Sequence, residues 1–503
     1  MELDHERCYR ALSTRDARFD GLFFVGVTTT GIYCRPVCSA RTPRSDRCQF
    51  YASAAAAEHA GFRPCLRCRP ELAPGHSPID SVGRVARAAA ARIEAGALNQ
   101  GGSLEDLAEE FGLSSRQLRR VVQSELGVSP VRLAQTHRLL LAKQLLTETR
   151  LPIIKVAFAS GFESLRRFNA LFLEHYRMPP TRFRREAEPV SEGEPLRLRL
   201  GYRAPLAWDH LMRFFAGRSL DGVERVSGDS YARTVAIGPH RGWFAVAPIS
   251  GKDALEVEFS ESLTPALAPL LAKVRHLFDL NARPDVIAEH LGSDPVLGPS
   301  LLKNPGLRVP GSFSGFDQAW RAILGQRISV RAATTVARRL TTLFGEPIET
   351  PFPELDRLSP SPEQLADAGL DQLASTGMGP LRARSIQALA RAIADGKLRL
   401  EPGADPDATM ARLKEFQGIG EWTAQVIAMR SLAWPDAFPD ADLGLLQSLG
   451  VASPARLRAL AEAWRPWRSY AAMYAWNAHP AHATAEPQPQ QTKPQPQPRS
   501  PLA

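Results

Sequence analysis

Four cysteines stand in two close pairs, Cys34-x3-Cys38 and Cys65-x2-Cys68, inside 35 of the chain's 503 residues. One turn of chain can present two sulfurs at such a spacing without strain, and four thiolates complete a closed tetrahedral Zn²⁺ shell. Gly31 and Pro36 bend the backbone around the first pair, and Pro64 and Pro70 repeat that logic around the second. Buried free thiols or disulfides are the competing reading. Disulfides need an oxidising compartment, and the segment from Met1 to Arg10 is charged, with no apolar stretch of the kind that directs export. The pattern therefore points to a zinc site made by Cys34, Cys38, Cys65 and Cys68. Cys8 and Cys48 are left over, and Cys48 reads as an ordinary thiol.

A second cluster able to do chemistry lies near the other end. Gly418-Ile419-Gly420 separates two helical stretches, and glycines there let the chain approach a phosphate while backbone N–H groups of the next helix hold it. A Gly-x-Gly alone is weak evidence, but Phe438-Pro439-Asp440-Ala441-Asp442 follows about 20 residues later and offers carboxylates at another helix start. The run from Trp464 to Trp476 adds aromatic bulk, which in general belongs to a core more often than to a pocket.

These centres need elements to position them. At this length about three or four domains are expected, and no run of 18 apolar residues suggests a membrane span. With its thiols kept for metal, the chain reads as cytoplasmic. The formal charge of +9 is uneven: residues 81–187 hold 17 Lys plus Arg against 10 Asp plus Glu, residues 1–80 hold 11 against 9, and residues 188–503 hold 34 against 34. A basic middle joined to a neutral second half suits a polyanion, most often nucleic acid.

That basic stretch is helical in pattern. Ser103 to Leu118 reads as a capped helix, a turn at Gly112 and a second helix capped by Ser114 or Ser115; the grammar recurs from Ile154 through Gly161 to Phe168. Two such units in tandem form a double helix-turn-helix. Arg116, Gln117, Arg119 and Arg120, and then Ser164, Arg166, Arg167 and Asn169, fall on the outer faces of the second helices, where they can reach bases or phosphates; a merely solvated face is the bland alternative. A linker is expected at 188–194. Period-two alternation from Leu196 to Leu200, with strands near 233–237, 243–248 and 255–259, marks a mixed segment to which helices at 208–215 and 265–279 belong. Helices follow to about Trp476, then a Pro- and Gln-rich tail. The expected architecture is multidomain α+β: a small zinc-binding module over 1–78, an all-α double helix-turn-helix over 81–187, a mixed α/β sheet domain over 195–281, an all-α domain over 282–482 and a disordered tail over 483–503.

Three resemblances cover nearly all of this. Thr29 to Cys38 and Gly61 to Cys68 carry both signatures of the Ada-type adaptive-response regulator's zinc domain, and residues 85–186 resemble the AraC-type double helix-turn-helix that regulator also has. Residues 196–480 resemble 3-methyladenine DNA glycosylase II of the helix-hairpin-helix superfamily, through Ala322-Ile323-Leu324-Gly325-Gln326, the Gly418–Gly420 hairpin and the Trp464–Trp476 run. The Pro-Cys-His-Arg motif of an O6-alkylguanine methyltransferase is absent.

The resemblance implies that Cys34, a zinc thiolate, takes a methyl group once from a methylphosphotriester in DNA. A tetrathiolate zinc centre carries a formal charge of about −2, falling to about −1 on methylation, so repulsion from phosphate drops and promoter binding strengthens. It further implies excision of alkylated purines, with Asp442 as the catalytic carboxylate ahead of Asp440. Trp422, Trp476, Gln326 and Arg327 fall at base- or gap-facing positions, and the Gly418-Ile419-Gly420 hairpin holds the DNA backbone. Bifunctional relatives place a lysine nucleophile where this chain has Trp422, so no lyase activity is expected. Arg327 replaces the leucine wedge of the best-known member, and Val426 a pocket tyrosine. The implied partners are double-stranded DNA, alkylated or promoter-bearing, and RNA polymerase; the implied state is a monomer without membrane contact. The alternative is a transcriptional activator whose glycosylase domain only binds DNA.

Overall fold

The computed structural model describes residues 3–75, 83–184, 194–326 and 328–478. The expected tail over 483–503, Arg327 and nearly all of the expected linker lie outside those residues.

The first module is a four-stranded sheet with order β3-β1-β2-β4, built from β1 (Phe24–Val27), β2 (Ile32–Cys34), β3 (Cys48–Tyr51) and β4 (Arg63–Pro64). Strands of two to four residues are too short for an alternating pattern, which is why the sequence offered only turns here. One pairing assembles the metal site. β4 runs parallel to β2 with Ile32 opposite Arg63 and Tyr33 opposite Pro64, so the chain leaves both strands at Cys34 and Cys65, side by side. The Cys65 N–H donates to the Tyr33 carbonyl at 3.0 Å.

Next come α1 (Leu104–Glu109), α2 (Ser115–Leu126), the long α3 (Pro130–Glu148), α4 (Ile153–Ala159) and α5 (Leu165–Tyr176). Ser103 caps α1, Ser114 caps α2 in a reciprocal capping box with Gln117, and Ser164 caps α5. Gly161 between α4 and α5 has φ +88°, and a Cβ there would run into the Asn99 amide, so the turn needs glycine twice over. The zinc module docks on α3. Buried Lys143 reaches Glu71 at 2.6 Å and the Cys65 carbonyl at 3.4 Å, while Glu58 accepts from Tyr33 Oη at 3.0 Å and Thr136 Oγ1 at 2.7 Å.

The sheet domain has the order β5-β9-β8-β7-β6, every pairing antiparallel. Its strands are β5 (Leu196–Gly201), β6 (Glu224–Ser227), β7 (Ser230–Ile237), β8 (His240–Pro248) and β9 (Ala254–Phe259). β6 has no period-two signal because its anchor is a charge: buried Glu224 pairs with Arg233 at 2.9 Å. α6 (Trp208–Ala216) and α7 (Leu267–Leu277) pack on the sheet, with Phe215 and Phe278 edge-on or tilted against Tyr231. The same apolar cluster continues from Leu139 of α3 and Phe172 of the second helix-turn-helix through Leu198, Tyr231 and Leu270. The two modules thus share a core.

In the remaining helical domain the elements that matter are α8 (Gly315–Leu324), α9 (Pro406–Lys414), α10 (Glu421–Ser431), α11 (Leu443–Ser448) and α12 (Arg468–Ala478). α10 lies between two apolar clusters, giving Ala424 and Ile427 to one and Ala428 and Met429 to the other. Its remaining face, with Trp422 and Val426, is left for the cleft. A buried arginine, Arg203, joins the halves of the molecule: it donates twice to the Asp20 carbonyl, at 3.2 and 3.0 Å, to Gly75 O at 2.9 Å and to Asn281 O at 3.0 Å.

Candidate active site and metal centre

The four expected metal ligands come together. The sulfurs of Cys34, Cys38, Cys65 and Cys68 all lie within 4.8 Å of one another, three of the residues buried and Cys68 partly exposed. Zn–S bonds of 2.3 Å in a tetrahedron put sulfurs roughly 3.8 Å apart, so the cluster fits the ion. Arg35 braces it: its backbone N–H donates to Cys68 Sγ at 3.4 Å, Nη1 to Cys68 O at 3.1 Å, and the guanidinium pairs with Asp20. The leftover thiols are of another kind. Burial, with Asp4 nearby, pushes Cys8 up to about 11; burial also raises Cys48, whose Sγ donates to Arg44 O at 3.3 Å. Neither is a ready thiolate.

At the other centre, α10 and α12 converge on the start of α11, where Asp442 is the N-cap. Its Oδ1 accepts the Leu445 N–H at 3.0 Å and the Trp476 indole N–H at 2.9 Å, and its Oδ2 accepts the Trp422 indole N–H at 2.9 Å. Asp440 turns away to Arg458 at 2.6 Å. Asp442, Trp422, Trp476, Val426, Gln326 and Gly418 line one cleft of about 1830 Å³.

The hairpin from Phe416 to Gly420 joins α9 to α10. Gly418 has φ +89°, and a Cβ would come 2.6 Å from Ser385 Oγ; Ile419 is buried and pins the turn, while open space surrounds Gly420 at the N-cap of α10. Gln326, expected to face substrate, spends both amide donors inside the protein, on Gly418 O and Thr423 Oγ1, each at 2.8 Å. It ties the end of α8 to the hairpin. Arg116, Arg119, Arg166 and Arg167 are all exposed on α2 and α5.

Sequence reasoning missed the cleft's inner wall. Phe214 of α6 has Arg218 Cζ 4.0 Å and Arg430 Cζ 4.9 Å from its ring centroid. Burial, with Arg321 adding repulsion, brings Arg218 down to about 10; burial, with Arg218 and Arg321, brings Arg430 down to about 9. Nothing near Asp442 in the chain signals these residues, because Phe214 and Arg218 come from the sheet domain.

Four family models match: the metal binding domain of Ada over residues 7–71, a helix-turn-helix domain over 107–186, the AlkA N-terminal domain over 197–314 and the HhH-GPD superfamily base excision DNA repair protein over 320–467. A Mycobacterium tuberculosis protein described as a probable bifunctional transcriptional activator/DNA repair enzyme AlkA is 39% identical over 495 residues, covering 96% of this chain and 98% of that one. The chain belongs to this bifunctional family. Two Escherichia coli proteins match parts of the chain. DNA-3-methyladenine glycosylase 2 is 37% identical over 55% of this chain and 95% of its own length; the bifunctional transcriptional activator/DNA repair enzyme Ada is 34% identical over 27% of this chain and 37% of its own. All four clustered cysteines fall in the Ada-type match. Gln326, the hairpin, Trp422 and Asp442 fall in the HhH-GPD match, and Trp476 lies just beyond its end.

Proposed function

We propose that the chain is a fused DNA alkylation-repair enzyme and regulator. Its C-terminal half is a monofunctional N-glycosylase releasing alkylated purines such as 3-methyladenine, and its N-terminal half a methylphosphotriester-accepting, sequence-specific transcriptional activator. The observation that carries the enzymatic part is the Asp442 carboxylate, held by two indole N–H groups in an aromatic-lined cleft beside a glycine hairpin.

An alkylated purine must leave the base stack to enter such a cleft. Its positive charge makes it a good leaving group and suits the faces of Trp422 and Trp476. The C1′–N bond breaks with its electron pair passing to the purine, which departs neutral. The sugar holds the charge as an oxocarbenium ion until water adds at C1′ and loses a proton to solvent. Asp442 offers the opposite charge to that ion. Gly418 and Gly420 bring backbone to the phosphates, and Arg327 fills the gap left by the extruded base.

In the other half, Cys34, Cys38, Cys65 and Cys68 would hold Zn²⁺, which keeps thiols deprotonated near neutral pH. The Cys34 sulfur attacks the methyl carbon of the triester. An S–C bond forms and the C–O bond breaks, leaving its electron pair on the phosphate oxygen of an ordinary diester. Arg116, Arg119, Arg166 and Arg167 then face promoter DNA. The partners are double-stranded DNA and RNA polymerase, and the chain works as a cytoplasmic monomer.

The test is release of free 3-methyladenine from methylated duplex DNA by the intact chain and by Asp442→Asn. Asn is also a good N-cap, so α11 should survive the change. Loss of release in the variant supports the glycosylase; release at the intact rate rejects Asp442 as its catalytic carboxylate, and no release by either chain leaves this half as a DNA-binding module.

A further inference from the structure

We infer that Trp422 and Trp476 act as positioning residues on Asp442 through their indole N–H groups, a role separate from the stacking that their ring faces offer a base. This inference rests on the reading of Asp442 as the catalytic carboxylate.

The three groups that hold Asp442 come from three elements: Trp422 from the first turn of α10, Leu445 from the first turn of α11 and Trp476 from near the end of α12. An indole N–H only donates and an ionised carboxylate only accepts, so every bond runs in one sense. The indoles also take different oxygens. Turning the carboxylate about its Cβ–Cγ bond would break both contacts, so the pair fixes its plane. Gly444 makes room for this arrangement: a Cβ there would lie 3.1 Å from Asp442 Oδ1 and 3.4 Å from both Cδ1 and Nε1 of Trp476.

The two tryptophans are not equivalent. Oδ1 has a second donor in the Leu445 N–H, whereas among the described residues Oδ2 accepts from Trp422 alone. Losing the Trp476 donor leaves both oxygens held; losing the Trp422 donor frees one. Oδ2 also keeps an unused lone pair, the direction left for the developing sugar cation or for water. A stacking role alone would weaken DNA binding without this asymmetry. A positioning role should lower the rate of bond breaking and leave affinity in place.

The experiment is single-turnover release of 3-methyladenine from methylated duplex DNA, with binding of the same duplex measured alongside, for Trp422→Phe, Trp476→Phe and Asp442→Asn. Phenylalanine keeps a ring and removes the donor. Hydrogen bonds to charged groups translate to a rate loss of about tenfold or more for Trp422→Phe, with affinity within about threefold, and to a smaller loss for Trp476→Phe. Circular dichroism verifies folding. Should Trp422→Phe not fold, Gly444→Ala probes the same hold from the other side and should slow release with affinity kept. Reduced affinity at an unchanged release rate overturns the inference while Asp442→Asn remains inactive. Full release by Asp442→Asn overturns the reading of Asp442, and the inference with it.

Discussion

The zinc centre and the cleft around Asp442 are built in opposite ways. The first takes its four sulfurs from 35 consecutive residues, closed by one parallel strand pair and braced by Arg35. The second gathers Phe214 from the sheet domain, Gln326 from the end of α8, Trp422 from α10 and Trp476 from α12 around a helix cap. A site closed by an ion needs little surrounding core. A site made of distant side chains is only as rigid as the cores that hold its helices, here the two clusters on either side of α10.

The largest expected effect separates the two on that ground. Metal binding to a structural tetrathiolate is worth on the order of 10 kcal/mol. Chelation should therefore make residues 3–75 protease-sensitive while base release continues, and loss of both together would show that the cleft depends on the zinc module. Arg203→Ala probes the join between them. Removing a buried side chain that donates to Asp20, Gly75 and Asn281 carbonyls should cost about 3 kcal/mol in denaturant unfolding; an unchanged midpoint would mean that this join adds no stability.

Acid should weaken the cleft half through His276. Burial brings its imidazole from 6.5 down to about 4, so the stability gained by keeping it neutral is complete above about pH 6.5. That gain falls as pH drops toward 4, by up to about 3 kcal/mol. Asp279, raised by burial to about 6, acts in the opposite sense, contributing most below its unfolded value of 3.8 and losing that contribution as pH rises through 6. The difference between the intact chain and His276→Gln isolates the histidine, and identical pH profiles would count against it. Gly418→Ala should have the smallest effect, about 1–2 kcal/mol from a φ of +89° and a Cβ set against Ser385. Its loss of release should exceed its loss of stability if the hairpin backbone grips DNA.

Legibility follows the same division. The cysteine spacing, the tandem serine caps and the alternation in β5 all act within a few residues, so local pattern reported them. The register of β2 and β4, the charge-anchored β6 and the core shared by the second helix-turn-helix and the sheet domain depend on partners far along the chain. Asp442 came from resemblance, since local pattern gave two carboxylates and only the fold turns Asp440 to Arg458. Gln326 was expected to face substrate; it lines the cleft, with its amide N–H donors on Gly418 and Thr423. Phe214, Arg218 and Arg430 had no sequence signal, because a cleft between domains has no spacing to read.

The central claim is that one chain carries two separate reactive centres. The direct test treats Cys34→Ser and Asp442→Asn, both checked for zinc content and folding, with DNA containing methylphosphotriesters and 3-methyladenine. Methyl uptake on the protein is followed by mass and free base by chromatography. The account predicts that Cys34→Ser loses uptake and keeps release, while Asp442→Asn keeps uptake and loses release. A zinc-loaded, folded variant that lost both activities, or neither, would contradict it.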